Sequence, residues 1–408
     1  MATTNHARKP RVLIIGGSMS GLFAGLLLRQ RGFDVEIFER VESELAGRGA
    51  GIVAQPAVAD VLRGLGIDPV NLGVDATTRQ VLDISGHVVC SVQCPQILTS
   101  WERVYRILRD AFPSARYHRG VGLTGFEQTA QSVMAHFSDG RSEQADLMIG
   151  ADGIRSTVRQ QLLPALSPLY AGYVAWRSLI AEQAFPPAIH SVLFEFMTFC
   201  LPPGEQCLGY PVAGPDDDLR PGHRRYNVVW YRPADERTEL QRLLTDDSGV
   251  THAISIPPPL IRREAIAEMR AAAERLVAPQ LRAIVRLMDE PILQPIYDLE
   301  TPRMAFGRIA VIGDAAFVAR PHVAAGVSKA ADDAAVLADA VAHDGVVAGL
   351  ARFEAQRLAI GRRIIERARH LGAYLQATRT QEEQARSERH SNARAVVTET
   401  AVLDFLDA

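Results

Sequence analysis

The sequence predicts an α/β protein: a dinucleotide-binding βαβ scaffold, an antiparallel sheet inserted into it, and a helical segment at the C-terminal end. Three observations carry this. RVLIIGGSMSGLFAGLLLRQRGFDVEIFER, residues 11–40, reads as strand, glycine turn, helix, strand and terminal acid. Residues 169–233 hold long β-prone runs separated by Pro/Gly/Asp loops. From Pro257 the pattern turns helical, and helical signals return from 327 almost to the end.

In the opening unit, Val12 to Ile15 is apolar and β-branched, and Gly16 permits a tight turn. Leu22, Leu26 and Leu27 recur at helical spacing until Gly32. Val35 to Phe38 is a second strand. Glu39 closes it roughly 20 residues beyond the first glycine, where a carboxylate accepts a hydrogen bond from a ribose hydroxyl. Gly21 lets the helix pack closely on the strand, and the N–H groups at the helix start favour a pyrophosphate. Ser18 stands at the middle glycine of G-x-G-x-x-G; it is small, and its hydroxyl can donate to a phosphate.

Residues 46–66 read as a glycine-rich loop leading into a helix, with Arg48 either reaching a phosphate or solvated. Residues 76–100 read as a small hairpin excursion, and 101–112 as an amphipathic helix. Four short strands are expected over 115–150, two of them joined by a hairpin turn at Asp139-Gly140. The last runs into GADGIRSTVRQQL, where Asp152-Gly153 marks a strand-to-helix turn. There, Arg155, Ser156 and Arg159 would offer N–H groups and guanidinium charge to phosphates.

PIYDLETP, 295–302, is the strand leading back from the insertion. In 307–341, Ile309 to Ile312 is a buried strand ending at Gly313-Asp314. A loop with Arg320, Pro321 and His322 follows, and a helix begins near Val327, its small residues suited to packing under a flat ligand. Asp314 lies at a strand's C-terminal end, where α/β sheets bind ligands, or else serves as a turn aspartate. Residues 350–408 are helical with mixed charge: a docking or oligomer element, or a solvated helix.

Composition narrows the class. Of 408 residues, 47% are hydrophobic and 22% charged, and the net charge is −3, which gives no basic field for nucleic acid or anionic membrane. No run reaches the roughly 18 apolar residues of a membrane helix. The polar first ten residues contain no signal peptide, so a cytoplasmic protein is expected. Cys90, Cys94, Cys200 and Cys207 form no C-x-x-C pair and imply reduced thiols, with no metal site.

Three separated motifs coincide: G-G-S-x-S-G at 16–21, D-G-x-R-S at 152–156, and G-D-A-A with a downstream Pro and Gly at 313–326. Together, over about residues 10–345, they resemble the single-component FAD-dependent aromatic hydroxylases, the group of para-hydroxybenzoate hydroxylase. GGSMSGL, YAGYVAWR, YNVVWYR and GDAAFVARPHVAAGVSKAADDA place the nearest likeness with the 2,6-dihydroxypyridine 3-hydroxylase branch. Two positions depart from the wider family: Phe317 stands where a histidine is usual, and Trp101 where an arginine is.

The resemblance implies a Rossmann-like FAD-binding domain over 1–75, 101–165 and 296–345. It implies a substrate-side domain over 76–100 and 166–295, and a C-terminal helical segment over 346–408. FAD would be held non-covalently. Gly16, Ser18 and Gly21 would hold its pyrophosphate, Glu39 its ribose, and the Leu123 backbone its adenine. Asp152, with Arg155 beside it, would serve both FAD and the nicotinamide donor, and Asp314 the ribityl chain. Pro321 to Ser328 would lie along the isoalloxazine, with the backbone of Gly326, Val327 and Ser328 at its pyrimidine end. NADH or NADPH is the implied reductant, and Arg40 and Arg48 are the basic residues available to a 2′-phosphate.

The implied reaction uses O₂ and a flavin C4a-hydroperoxide to hydroxylate a small, electron-rich hydroxylated (N-hetero)aromatic ring. His322, in the flavin loop and titrating near neutrality, is the first candidate to handle the proton, and Tyr210 the second, to orient a ring hydroxyl. A homodimer is the expected assembly. A flavin-dependent halogenase or reductase on the same scaffold, and a non-catalytic FAD-fold binding protein, stand as alternatives.

Overall fold

A computed structural model of the chain describes residues 9–45 and 51–406; Arg48 lies outside the described residues. A six-stranded sheet is built from Ala305–Phe306, Ile309–Val311, Leu147–Gly150, Arg11–Ile15, Asp34–Glu39 and Tyr117–Arg119, in that spatial order. All its pairings are parallel except the one between Ala305–Phe306 and Ile309–Val311. Central parallel strands are covered on both faces, which is why their sequences are unbroken apolar runs. Val12, Leu13, Ile14 and Leu147 to Ile149 have no exposed surface, and each such side chain contributes about 1.5–3 kcal/mol. The helices Met19–Gln30 and Gly326–Asp344 pack into the same core.

Asp139-Gly140 turns a hairpin, with Gly140 at φ +86°. The turn leads from Val133–Phe137 into a short strand, Ser142–Ala145, and not directly into the buried strand Leu147–Gly150. With Leu123–Gln128 these make a separate three-stranded meander. Ser142–Ala145 carries one buried residue and no apolar alternation, so its pattern carried no strand signal.

The second sheet has nine strands. Their order is Phe317–Val318, Ile292–Glu300, Leu169–Ala181, Arg225–Pro233, Gln206–Val212, Met197–Cys200, Val74–Leu82, Val88–Ser100 and Gly51–Ala54. The hairpin Val74–Leu82/Val88–Ser100 is no small excursion: it joins this sheet through parallel pairing with Met197–Cys200. Strands also run through the positions 75/76 and 295/296.

Side chains alternate across this sheet. Trp176, Tyr226 and Trp230 point into a core shared with the helices Arg263–Leu276 and Pro279–Arg286. Tyr173, Tyr210 and Tyr231 lie in the core of the opposite face, together with Tyr374, Val397 and Ala401 of the C-terminal segment. That segment leaves the long helix Val346–Gly372 and docks on its own chain. Arg79 donates to the carbonyls of Val397 and Thr400 at 2.9 and 2.6 Å, and Gln55 to that of Ala401 at 3.0 Å.

Candidate active site

The first loop is shaped by its glycines. Gly16 has φ +107°, and a Cβ there would sit 2.3 Å from the Ala151 carbonyl oxygen. A Cβ on Gly21 would lie 1.9 Å from the Gly16 carbonyl oxygen. Ser18 is the N-cap of Met19–Gln30, and its side chain makes no capping bond. Glu39 is buried, and its carboxylate accepts from the Gly17 and Val41 N–H groups at 2.8 and 2.9 Å. It therefore fixes the loop from the end of the second strand. Tyr117 also closes on this loop, donating to the Gly17 carbonyl at 2.7 Å, a contact with no motif to signal it. Val121 donates to the Glu39 carbonyl at 3.0 Å, and Leu123, two residues on, opens the three-stranded meander opposite Phe137. Arg40 is exposed.

Asp152 and Asp314 close the other side. Asp152 Oδ2 accepts from Thr157 and Val158 N–H at 2.7 and 3.2 Å, while Oδ1 is buried with no hydrogen-bond partner among the described residues. Burial raises its pKa. Asp314 has exposed surface, yet crowding by protein raises its pKa too, with Lys329 pulling the other way. Arg155 is exposed and donates to Ser255 at 2.8 Å. Arg159 does not present its charge to a phosphate as expected. It is buried and donates to the carbonyls of Ile154 and Ala315 at 2.5 and 3.0 Å, tying the Asp152 turn to the Asp314 turn.

After Asp314 the chain makes a short turn, Pro321–Val323, passes Ala324 at φ +49°, and enters Gly326–Asp344. That helix start has no side-chain cap, Gly326 is exposed with nothing within 4 Å of an added Cβ, and the first N–H groups of the helix have no intrahelical acceptor. Toward its C-terminal end its small residues let another helix approach closely: a Cβ on Gly349 would lie 2.5 Å from the Ala340 carbonyl oxygen. The two departures from the wider family also have local causes. Phe317 is fully buried against Gly361, and Trp101 stacks on Tyr105 at 5.0 Å, whose hydroxyl donates to Glu44 at 2.6 Å.

His322 is buried, and desolvation, aided by the Arg320 charge, pushes its pKa down to about 3. This corrects the expectation that it titrates near neutrality. Its Nε2 bonds the Tyr173 hydroxyl at 2.9 Å, its ring meets Tyr231 edge-on at 4.6 Å, and its carbonyl accepts from Ala401 N–H at 2.7 Å. Arg320 is held by Asp298 at 2.9 Å and Gln376 at 2.8 Å. Tyr210 is buried on the same sheet face as Tyr231, and burial raises its pKa.

Comparisons with known proteins agree with this arrangement. Residues 14–62 match the family described as NAD(P)-binding Rossmann-like domain, and 170–298 the one described as FAD binding domain-like. The chain is 33% identical over 368 residues to 2,6-dihydroxypyridine 3-monooxygenase of Paenarthrobacter nicotinovorans, covering 90% of this chain and 91% of the relative. It is 27% identical to 6-hydroxynicotinate 3-monooxygenase of Pseudomonas fluorescens, covering 86% and 88%. The solved structure of 2,6-dihydroxypyridine-3-hydroxylase from Arthrobacter nicotinovorans superposes with a TM-score of 0.86 at 31% identity, covering 91% of this chain and 94% of that one. The chain belongs to the FAD-dependent aromatic monooxygenases, and FAD and NAD(P)H are its cofactors.

The residues present fit FAD. The Gly16–Gly21 cradle admits no Cβ, Asp152 keeps a carboxylate oxygen without a partner among the described residues, Asp314 is exposed beyond the end of a parallel strand, and the helix that begins at Gly326 has no side-chain cap.

Proposed function

We propose that this monooxygenase hydroxylates a small hydroxylated N-heteroaromatic ring of the dihydroxypyridine kind. The observation that carries the reading is the 33% identity, across nine-tenths of both chains, to a 2,6-dihydroxypyridine 3-monooxygenase. In balance, ring C–H, O₂, NAD(P)H and a proton give ring C–OH, water and NAD(P)⁺. Bound FAD supplies the redox and oxygen-activating chemistry.

This chain's residues bind, orient and shield. Gly16, Ser18 and Gly21 take the pyrophosphate, Glu39 the adenosine ribose through its remaining acceptor capacity, and the Leu123 backbone the adenine edge. Asp314 accepts from the ribityl hydroxyls, and Asp152 with Arg155 flanks the entry of the nicotinamide donor. Arg40 and Arg48 meet its 2′-phosphate when it is NADPH. Pro321 lines the ring system, and the Gly326, Val327 and Ser328 N–H groups stabilise negative charge at its pyrimidine end. Tyr210 orients a hydroxyl of the substrate. His322 stays neutral at working pH and serves the proton path as a hydrogen-bonding partner of Tyr173, not as a charged acid. The Tyr173, Tyr231 and Tyr374 rings and the docked C-terminal segment exclude water.

The same reading assigns 1–75, 101–165 and 296–345 to the cofactor, 76–100 and 166–295 to the substrate, and 346–408 to closure. It includes a cytoplasmic homodimer, supported for the compartment by four free thiols and by the absence, among the described residues, of a helix long and apolar enough to cross a membrane. The test is NAD(P)H oxidation by purified holoprotein with and without 2,6-dihydroxypyridine. Acceleration with a hydroxylated product supports the reading; acceleration with hydrogen peroxide alone, or none, removes the ring assignment.

A further inference from the structure

The sheet face that meets the flavin loop carries a guanidinium with no acid beside it among the described residues. Arg177 is half-buried on Leu169–Ala181. Its bonds run to neutral oxygens: Nη1 to Gln294 Oε1 at 2.7 Å and Nη2, at the long distance of 3.4 Å, to the Gly51 carbonyl. Its Nε is buried without an acceptor among the described residues. Strand register sets its neighbours. Arg177 pairs with Val229, Ala175 with Tyr231 and Asn227 with Tyr210, so Arg177, Tyr210, Asn227 and Tyr231 share one face. Asn227 Nδ2 is likewise buried without an acceptor among the described residues, while its Oδ1 accepts from Gly51 N–H at 3.0 Å.

The neighbourhood is thus rich in donors and poor in acceptors. A guanidinium has five N–H groups, and here two are used. Its charge reaches the phenols of both Tyr210 and Tyr231, lowering each against the larger effect of burial. Tyr173 and His322 on this face bond each other, Tyr374 shares their core, and Arg79 is taken up by the carbonyls of Val397 and Thr400. An uncompensated, partly desolvated cation is costly, and a planar fork of donors suits a planar anion. The flavin loop reaches the same place, since the His322 ring touches Tyr231.

We propose that Arg177, with the Tyr210 hydroxyl, binds the ionised hydroxyl of the ring substrate and so selects rings that have lost that proton. This deepens the function proposed above and rests on it. The ring O–H bond breaks heterolytically, its proton passes to solvent, and the electron pair stays on the oxygen beside Arg177. The ring arrives electron-rich, as attack by an electrophilic oxygen requires. No electron is transferred in this step.

The test is an absorbance titration of oxidised holoprotein, without NAD(P)H, across pH. The probes are 2,6-dihydroxypyridine and 4-nitrophenol, a chromophoric phenol without a ring nitrogen. Wild type binds the anion of at least one probe and lowers the apparent pKa of the bound hydroxyl. Arg177→Gln weakens that binding at least about tenfold and moves the apparent pKa back toward that of the free probe, with partial recovery in Arg177→Lys. Wild-type affinity and pH profile in Arg177→Gln, at unchanged FAD content and melting temperature, overturn the proposal. Should Arg177→Gln fail to fold, wild-type affinity in both Arg177→Lys and Tyr210→Phe overturns it equally. If wild type binds 4-nitrophenolate but not the pyridine, and Arg177→Gln loses that binding, the anion role stands and the ring class falls. If wild type binds neither anion, both fall.

Discussion

The dinucleotide loop and the inner face of the nine-stranded sheet solve the binding problem in opposite ways. The loop is made of backbone: Gly16 and Gly21 leave no room for a Cβ, and Glu39 holds the Gly17 N–H at 2.8 Å. The sheet face is made of side chains from distant strands, with Arg177, Tyr210 and Tyr231 brought together by register. A pyrophosphate is common to many ligands and is met by main-chain N–H groups that any sequence supplies once the turn is right. A particular ring needs particular side chains. Backbone sites therefore tolerate almost no change at few positions, whereas side-chain sites can be retuned one residue at a time.

The sharpest way to break this comparison is Gly21→Ala. The new Cβ would meet a fixed backbone oxygen at 1.9 Å, so the variant is expected to lose FAD binding almost completely, and much of its soluble yield with it. FAD retained at wild-type stoichiometry would refute the backbone account. Next comes Arg159→Met, which strands the carbonyls of Ile154 and Ala315 and unties the two aspartate turns. A loss of about 2–4 kcal/mol in urea unfolding is expected, together with weakened FAD.

His322 tests the side-chain region through pH. Its folded pKa is about 3, and an unfolded histidine titrates near 6.5. Between these values the unfolded chain binds the proton and the folded one does not, so stability is lost as pH falls below about 6.5, by about 1.4 kcal/mol per unit. His322→Gln removes that component. Melting followed from pH 6.5 to 5 should fall about 2 kcal/mol less in the variant than in wild type. Parallel curves would contradict the burial argument.

Legibility in the sequence follows the same division. The βαβ unit and the strand-end turn at Asp314 were readable because each sits within one short stretch whose glycines and acid have fixed spacing. Arg159 was visible as a basic residue after a turn, but whether it faces a phosphate or three carbonyls depends on a loop 150 residues away. Arg177, Tyr173 and Tyr231 lie within YAGYVAWR and YNVVWYR, which carried the family likeness, yet none stood out as a site residue, because nothing local distinguishes a strand's inward-facing arginine from its solvated one. The small residues of Gly326–Asp344 signalled close packing but not the neighbour, because close packing looks the same in sequence whether the neighbour is a ligand or a helix. The alternating runs of 169–233 did reveal a sheet, though not that 74–100 completes it.

The central claim is that the backbone half delivers oxygen chemistry to a ring held by the side-chain half. Its most direct test is to supply purified holoprotein with ¹⁸O₂, NAD(P)H and 2,6-dihydroxypyridine and to weigh the product. The account predicts a single labelled oxygen in a hydroxylated ring, with one NAD(P)H consumed per product. A product labelled only from water, or peroxide formed with the ring unchanged, would contradict it.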